Sequence, residues 1–187
     1  MPRKLVVGVM GASMNDALTE TEAHRLNALG QALGAAIAKA GCILVTGATT
    51  GLPDLVTKEF RKQGGFALGV SPAENHGEHV GRYALPDDGA DVIIYTGFGF
   101  KGRNVINVRS ADILIFFGGA TGTLNEFTIA YDEGKVIGVL EGSGGVADHI
   151  REIIRFCNKS TTGAVLFDGQ PATLVETCLA AFKARSS

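Results

Sequence analysis

No apolar stretch in this chain approaches the roughly 20 residues that cross a bilayer, so no membrane-spanning helix is expected. Positive charge is not in excess. Lys and Arg number 17 against 19 Asp and Glu, a formal net charge of −2. That balance offers no bulk attraction to nucleic acid or to an anionic membrane, and leaves only a local basic pocket open. Cysteine is sparse: the 3 residues, Cys42, Cys157 and Cys178, form no metal-spaced pair and fall in expected strands or helices. They read as buried thiols of a reducing compartment. His76 and His79 have no obvious third ligand nearby, so no metal site is expected. Two phosphate signatures are also missing. There is no Walker A loop, and the first apolar run is followed by no G-x-G-x-x-G, while the second ends without the acid that would hold an NAD ribose. The basic start and brief apolar run are interrupted by Gly8 and Gly11 and followed by a polar loop, which reads as a first strand and not as a signal peptide. The cytoplasm is the expected location.

What is present is a chain of 187 residues, 45% hydrophobic and 19% charged, which suits one domain over residues 1–187 with a sizeable core. Its 26 glycines gather at the ends of expected strands. Leu5 to Met10 is the first strand, closed by Gly11-Ala12-Ser13; Met14 to Leu18 is loop. Thr19-x-x-Glu22 is a capping box, and Leu26, Leu29, Leu33 and Ile37 mark the buried stripe of the helix it opens. Cys42 to Thr46 is a second strand ending in Gly47-Ala48-Thr49-Thr50-Gly51, and Pro53 sits near the first position of the next helix. Phe66 to Val70 is a third strand. Ser71 to Ala90 carries no sustained periodicity and reads either as a lid or binding loop, or as a surface excursion with a short strand near Tyr83 to Leu85. Val92 to Thr96 is a fourth strand, with a short helix from Arg103 to Ser110 behind a glycine-rich loop. Strands at Val136 to Leu140 and Ala164 to Phe167 and helices at Val146 to Cys157 and Pro171 to Arg185 complete the chain. The alternation predicts a doubly wound, mainly parallel α/β sheet, Rossmann-like, with helices on both faces.

The most informative stretch is Asp112 to Gly134. Ile113 to Phe117 is an unbroken apolar run, Gly118 to Thr123 is small and glycine-rich, and Phe127, Ala130 and Tyr131 then recur at helical spacing. A buried strand, a tight loop and a helix follow. Such a loop presents free backbone N–H groups and the positive end of a helix, a ready anion site, to which the hydroxyls of Thr121 and Thr123 add hydrogen bonds. Thr123-x-x-Glu126 has two readings: a capping box, or a carboxylate one turn into the helix facing the same ligand. Arg103 is likewise either solvated or, as a cation set unfavourably near a helix N-terminus, compensated by a bound anion. Small loops after the strands ending at Met10, Thr46, Thr96 and Phe117 converge at the topological switch point of such a sheet. With Arg103 and Glu126 they suggest a pocket for a phosphorylated, nucleotide-sized ligand, lined by Gly11, Ala12, Ser13, Thr46, Gly47 and Gly118 to Thr123: Gly118, Gly119, Ala120, Thr121, Gly122 and Thr123.

The stretch Gly118-Gly119-Ala120-Thr121-Gly122-Thr123-Leu124-Asn125-Glu126 resembles the P-G-G-x-G-T-x-x-E hallmark of the LOG-like superfamily, whose members are often mislabelled lysine decarboxylases. The family's upstream arginine falls on Arg103, its strand-opening acid on Asp112, and its second glycine loop on Val45 to Leu52. Gly118 replaces the hallmark proline, Ala120 its second glycine, and Asn104 the lysine that the family's hydrolases place after the arginine. Arg103 to Asn107 and the opening Val7 to Gly11 look more like the branch of molybdenum-cofactor carriers.

The resemblance implies a three-layer Rossmann-like domain and a homo-oligomer, a dimer or higher, with sites near its interface. It implies one of two activities. In the first, a nucleoside 5′-monophosphate is split into free base and ribose 5-phosphate, with Glu126 stabilising the positive charge that grows on the sugar and Arg103 the leaving base or substrate. In the second, a phosphorylated pterin such as the molybdenum cofactor is bound and carried without turnover. No cofactor is required by either, and nothing identifies a lysine for a pyridoxal Schiff base. The expected partner is a small phosphorylated ligand, nucleotide or pterin, with no nucleic acid and no membrane.

Overall fold

The structure is a computed structural model that describes residues 3–13 and 19–186. The expected loop at Met14 to Leu18 lies outside the described residues. Among the described residues seven strands form one sheet: β1 (Val6–Gly11), β2 (Ile43–Thr46), β3 (Ala67–Ser71), β4 (Val92–Tyr95), β5 (Ile113–Phe117), β6 (Val136–Leu140) and β7 (Ala164–Asp168). Their spatial order is β4-β3-β2-β1-β5-β6-β7, and every pairing is parallel. The chain runs outward from β1 to β4, crosses back, and continues from β5 to β7, so the switch point lies between β1 and β5.

Alternation along the strands divides the core in two. Val7, Val9, Ile113, Ile115 and Phe117 face α1 (Glu20–Lys39), α2 (Leu52–Lys62) and α7 (Pro171–Ser186). Met10, Val45, Leu114 and Phe116 face α4 (Gly99–Ser110), α5 (Thr121–Asp132) and α6 (Gly145–Cys157). Both faces are covered, which is why β5 and β6 are apolar at every position and buried throughout. Gly34 sets the distance between α1 and α2, because a Cβ there would stand 2.6 Å from the Val56 carbonyl oxygen.

Acids anchor the N-terminal edge of the sheet. Asp112, just ahead of β5, accepts the Val6 N–H at 2.9 Å and both ends of the Arg3 guanidinium at 2.7 and 2.8 Å. Asp91, ahead of β4, does the same for Ala67 at 2.8 Å. Asp112, the acid of the hallmark pattern, therefore stitches strand starts together at the edge opposite the strand C-termini.

The expected loop from Ser71 to Ala90 contains α3 (His76–Gly81), too short to show helical periodicity in the sequence. The short strand expected near Tyr83 to Leu85 does not form; the chain there is held by His79 instead. His79 is fully buried. Its Nε2 lies 2.9 Å from the Pro86 carbonyl, which can only accept, so Nε2 donates, and Nδ1 lies 2.8 Å from the Ser71 hydroxyl oxygen. His76 stays exposed and pairs with Asp87.

Two further expectations are corrected. The helix expected from Arg103 begins at Gly99, because Gly97 and Gly99 adopt positive φ and hand the chain directly from β4 into the first turn. Cys157 is exposed, since the last turn of α6 stands clear of the sheet beside a Phe156 that is 91% exposed; Cys42 and Cys178 are buried.

Candidate functional site

A cavity of about 530 Å³ opens at the C-terminal edge of the sheet, over the switch point. It is lined by Gly11, Ala12 and Ser13 after β1, by Gly47, Thr49 and Pro53 between β2 and α2, by one side of α4, and by the β5–α5 loop. Of the residues expected there, Gly11, Ala12, Ser13, Gly47, Gly119, Ala120, Gly122, Thr123, Arg103 and Glu126 line it. Thr46, Gly118 and Thr121 do not. Thr46 ends β2 and faces a small niche with Asp54 and Thr57. Thr121 is exposed at the first position of α5.

Gly118 is part of the scaffold under the loop. Its N–H donates to Ser143 Oγ at 2.9 Å, and its carbonyl accepts from Ala147 N at 3.0 Å, while the Gly119 carbonyl accepts from Val146 N at 2.9 Å. The start of α6 thus occupies the carbonyls of the glycine pair. Gly118 and Gly119 need positive φ, +62° and +103°, to make this turn, which is where glycine serves conformation. Ser143, buried and bonded also to the Leu140 carbonyl, was not legible in the sequence because it acts from the next βα loop.

The capping box expected at Thr123 and Glu126 does not form. The helix starts three residues earlier than that box requires, with Ala120 at the cap in place of Thr123 and no side-chain hydrogen bond to the first turn. Glu126 is a buried mid-helix side chain aimed at the cavity. The same lack of a side-chain cap is found at α2, capped by Gly51, and at α4, capped by Phe98, both of which open on the cavity. By contrast α1 carries the Thr19–Glu22 capping box and α3 is capped by Asn75, while α6, capped by Gly144 without a side-chain bond, gives its first-turn N–H groups to the Gly118 and Gly119 carbonyls. First-turn N–H groups without a side-chain acceptor, at a positive helix end, favour an anion.

From α4, residues 103, 104 and 107 project to one side by helical spacing, and all three are buried. Arg103 Nη1 lies 3.9 Å from Glu126 Oε1, and its Cζ is 5.9 Å from the centroid of Phe100. Asn107 Nδ2 donates to Glu126 Oε1 at 3.3 Å and approaches Met10 Sδ at 3.2 Å; Asn104 Nδ2 donates to Asn125 Oδ1 at 2.9 Å. Among the described residues Arg103 Nε and Asn107 Oδ1 are buried with no hydrogen-bond partner. Burial pushes the Glu126 carboxyl up from its ordinary value, against the opposing pull of Arg103, Asn107 and Lys101. Burial pulls the Arg103 guanidinium down, against Glu126. Both members of the pair are therefore held under an electrostatic cost that a ligand bearing an acceptor for Arg103 relieves. Phe100, Lys101 and Asn107 also line the cavity and were missed as site residues in the sequence; only the 3–4 spacing from Arg103 to Asn107 signalled a shared face.

Glycine loops at the switch point, helix N-termini without side-chain caps and a buried Arg–Glu pair define a doubly wound α/β protein of the Rossmann-like, LOG-like kind. The chain belongs to the SLOG cluster4 family, whose sequence model matches residues 4–175. An uncharacterized protein of Archaeoglobus fulgidus is 32% identical over 161 residues, 83% of this chain and 95% of that protein. Among solved structures, the molybdenum cofactor binding protein of Rippkaea orientalis is similar at a TM-score of 0.73 and 27% identity, covering 99% of both chains. The molybdenum cofactor carrier protein of Chlamydomonas reinhardtii is similar at a TM-score of 0.74 and 25% identity, covering 97% of this chain and 99% of its own.

Proposed function

We propose that this protein binds a phosphorylated, nucleotide-sized ligand in the switch-point cavity and carries it without turnover, the ligand being a phosphorylated pterin of the molybdenum-cofactor kind. The observation that carries the reading is the α5 N-terminus, open to the cavity without a side-chain cap, beside a buried Arg103 whose Nε has no partner among the described residues. Gly119, Ala120, Gly122 and Thr123 take the phosphate, and Arg103 and Asn107 take polar atoms of the ring system. A cavity of about 530 Å³ suits a ligand of that size. The kinship with the two molybdenum-cofactor proteins supports the choice of pterin over base.

Titration calorimetry with the metal-free pterin phosphate and with a panel of nucleoside 5′-monophosphates tests this. Tight binding of the pterin without release of product supports the carrier. Absence of binding by every phosphorylated probe overturns it.

A second reading, a nucleoside 5′-monophosphate phosphoribohydrolase, is favoured by one observation: Glu126 stands one helical turn beyond Thr123 and beside Arg103, in reach of a sugar whose phosphate sits on the loop. Release of free base and ribose 5-phosphate, lost in Glu126→Gln, would establish it over the carrier. Both readings take residues 1–187 as one domain, acting in the cytoplasm as a homo-oligomer, with no metal held by the protein's own side chains and no nucleic-acid partner. Light scattering after size exclusion and a mobility assay with single-stranded oligonucleotides test the last points. Among the described residues no helix is long and apolar enough to cross a membrane.

A further inference from the structure

Gly47 lines the cavity at the end of β2, in a loop where glycine suggests a backbone that a ligand can approach. The geometry gives it another role. Its φ does not lie in the left-handed region, so conformation does not require glycine there. Space does. A Cβ on Gly47 would stand 1.7 Å from Nη1, 2.6 Å from Cζ and 3.0 Å from Nη2 of Arg103. All three atoms belong to the guanidinium head, and the same head belongs to a side chain that is buried and whose Nε has no partner among the described residues.

We infer that Gly47 is a positioning residue: it seats the Arg103 guanidinium over the end of β2 and so aims its donors, beside the Glu126 carboxylate, at the end of the ligand remote from its phosphate. The inference rests on the phosphate reading of the β5–α5 loop. β2 and β5 are separated by β1, so the seat and the glycine loop stand two strand spacings apart, roughly 10 Å across the sheet. A guanidinium has five N–H donors and no acceptor. The ligand that uses both ends is thus phosphorylated at one and bears a hydrogen-bond acceptor, an oxo or anionic group, at the other. An alanine at position 47 is compatible with the backbone. Its clash falls on the tip of a flexible side chain, which moves off its seat while the fold stays.

Two probes separate the ends: guanosine 5′-monophosphate, whose ring carries the same amino-oxo edge as a pterin, and ribose 5-phosphate, which has the phosphate and no ring. Gly47→Ala and Arg103→Ala are each expected to weaken the nucleotide by roughly ten-fold or more while leaving ribose 5-phosphate unchanged. The double variant should be no weaker than either single one, because both remove the same contact. Gly138→Ala on β6, whose Cβ would stand 2.7 Å from Cys178 Sγ on α7, is the control for packing alone and should lower Tm without separating the probes. Equal losses for both probes in Gly47→Ala, or losses that multiply in the double variant, overturn the inference. If neither probe binds the wild-type protein, the phosphate reading falls, and the seat is decided separately by NMR. The Arg103 Nε–H, identified by its loss in Arg103→Ala, should shift and exchange faster in Gly47→Ala; an unmoved, protected signal there overturns the seat.

Discussion

Arg103 and Glu126 face each other at 3.9 Å in the cavity wall, too far for a hydrogen bond, with side chains only 8% and 7% exposed. Burial shifts both against their charged forms, the guanidinium down and the carboxyl up. A pair so desolvated and so loosely joined adds little to stability. It is arranged for a third group, and the unpartnered Arg103 Nε says that the group is an acceptor.

Glu126→Gln should change how stability depends on pH. A carboxyl raised by folding binds more protons in the native state between its unfolded and folded values. Its contribution is greatest below about 4.3 and is lost as pH rises through that interval. Glutamine keeps the oxygen that accepts from Asn107 but does not titrate. Urea unfolding from pH 4 to 7 should show the wild-type protein losing stability relative to the variant as pH rises; parallel curves would refute the buried carboxyl.

Asp112→Ala should act on the fold and spare the cavity. Burial works to raise this carboxyl, but hydrogen bonds from Arg3 and Val6 and the Arg3 charge outweigh it and hold it below the ordinary carboxylate range. Its contribution is therefore present above the unfolded value and lost as pH falls through the folded one. Leaving the Val6 N–H without its acceptor should cost about 1–3 kcal/mol at neutral pH. Denaturation reads the loss, and ligand affinity should not move, because Asp112 lies at the opposite edge of the sheet.

Gly119→Ala should disable the loop. Its φ of +103° is strained for alanine, and the added Cβ would stand 2.5 Å from the Thr123 side chain. The combined penalty should exceed about 2 kcal/mol, read as a lower Tm, with loss of phosphate binding in calorimetry. An unchanged affinity for phosphate would remove the loop from the site.

Thiol titration should distinguish one cysteine from two. Cys157 is exposed and should react with a disulfide reagent in the native protein. Burial raises the Cys42 thiol and pushes Cys178 up to about 12, so both should react only on unfolding.

The sequence by itself determined the architecture and the place where loops converge. Apolar runs such as Ile113 to Phe117 leave no alternative to a strand buried on both faces, and their alternation with amphipathic helices leaves little besides a parallel, doubly wound sheet. Glycine marked the β5–α5 turn because only positive φ makes it. What the sequence did not determine was which side chains meet. Helix starts moved: α5 begins at Thr121 and α4 at Gly99, so Glu126 is no cap and Arg103 is no longer in the first turn. Local capping signals lost there because the chain's exit from the strand, fixed by the scaffold of α6 and by the 72–73 segment, sets where each helix starts. Ser143 with Gly118, Asn107 with Glu126, and Arg103 seated on Gly47 are contacts between different elements, from residues 25, 19 and 56 positions apart in the chain. Periodicity reports only the face of one element, and tertiary packing alone decided which faces enclose the cavity.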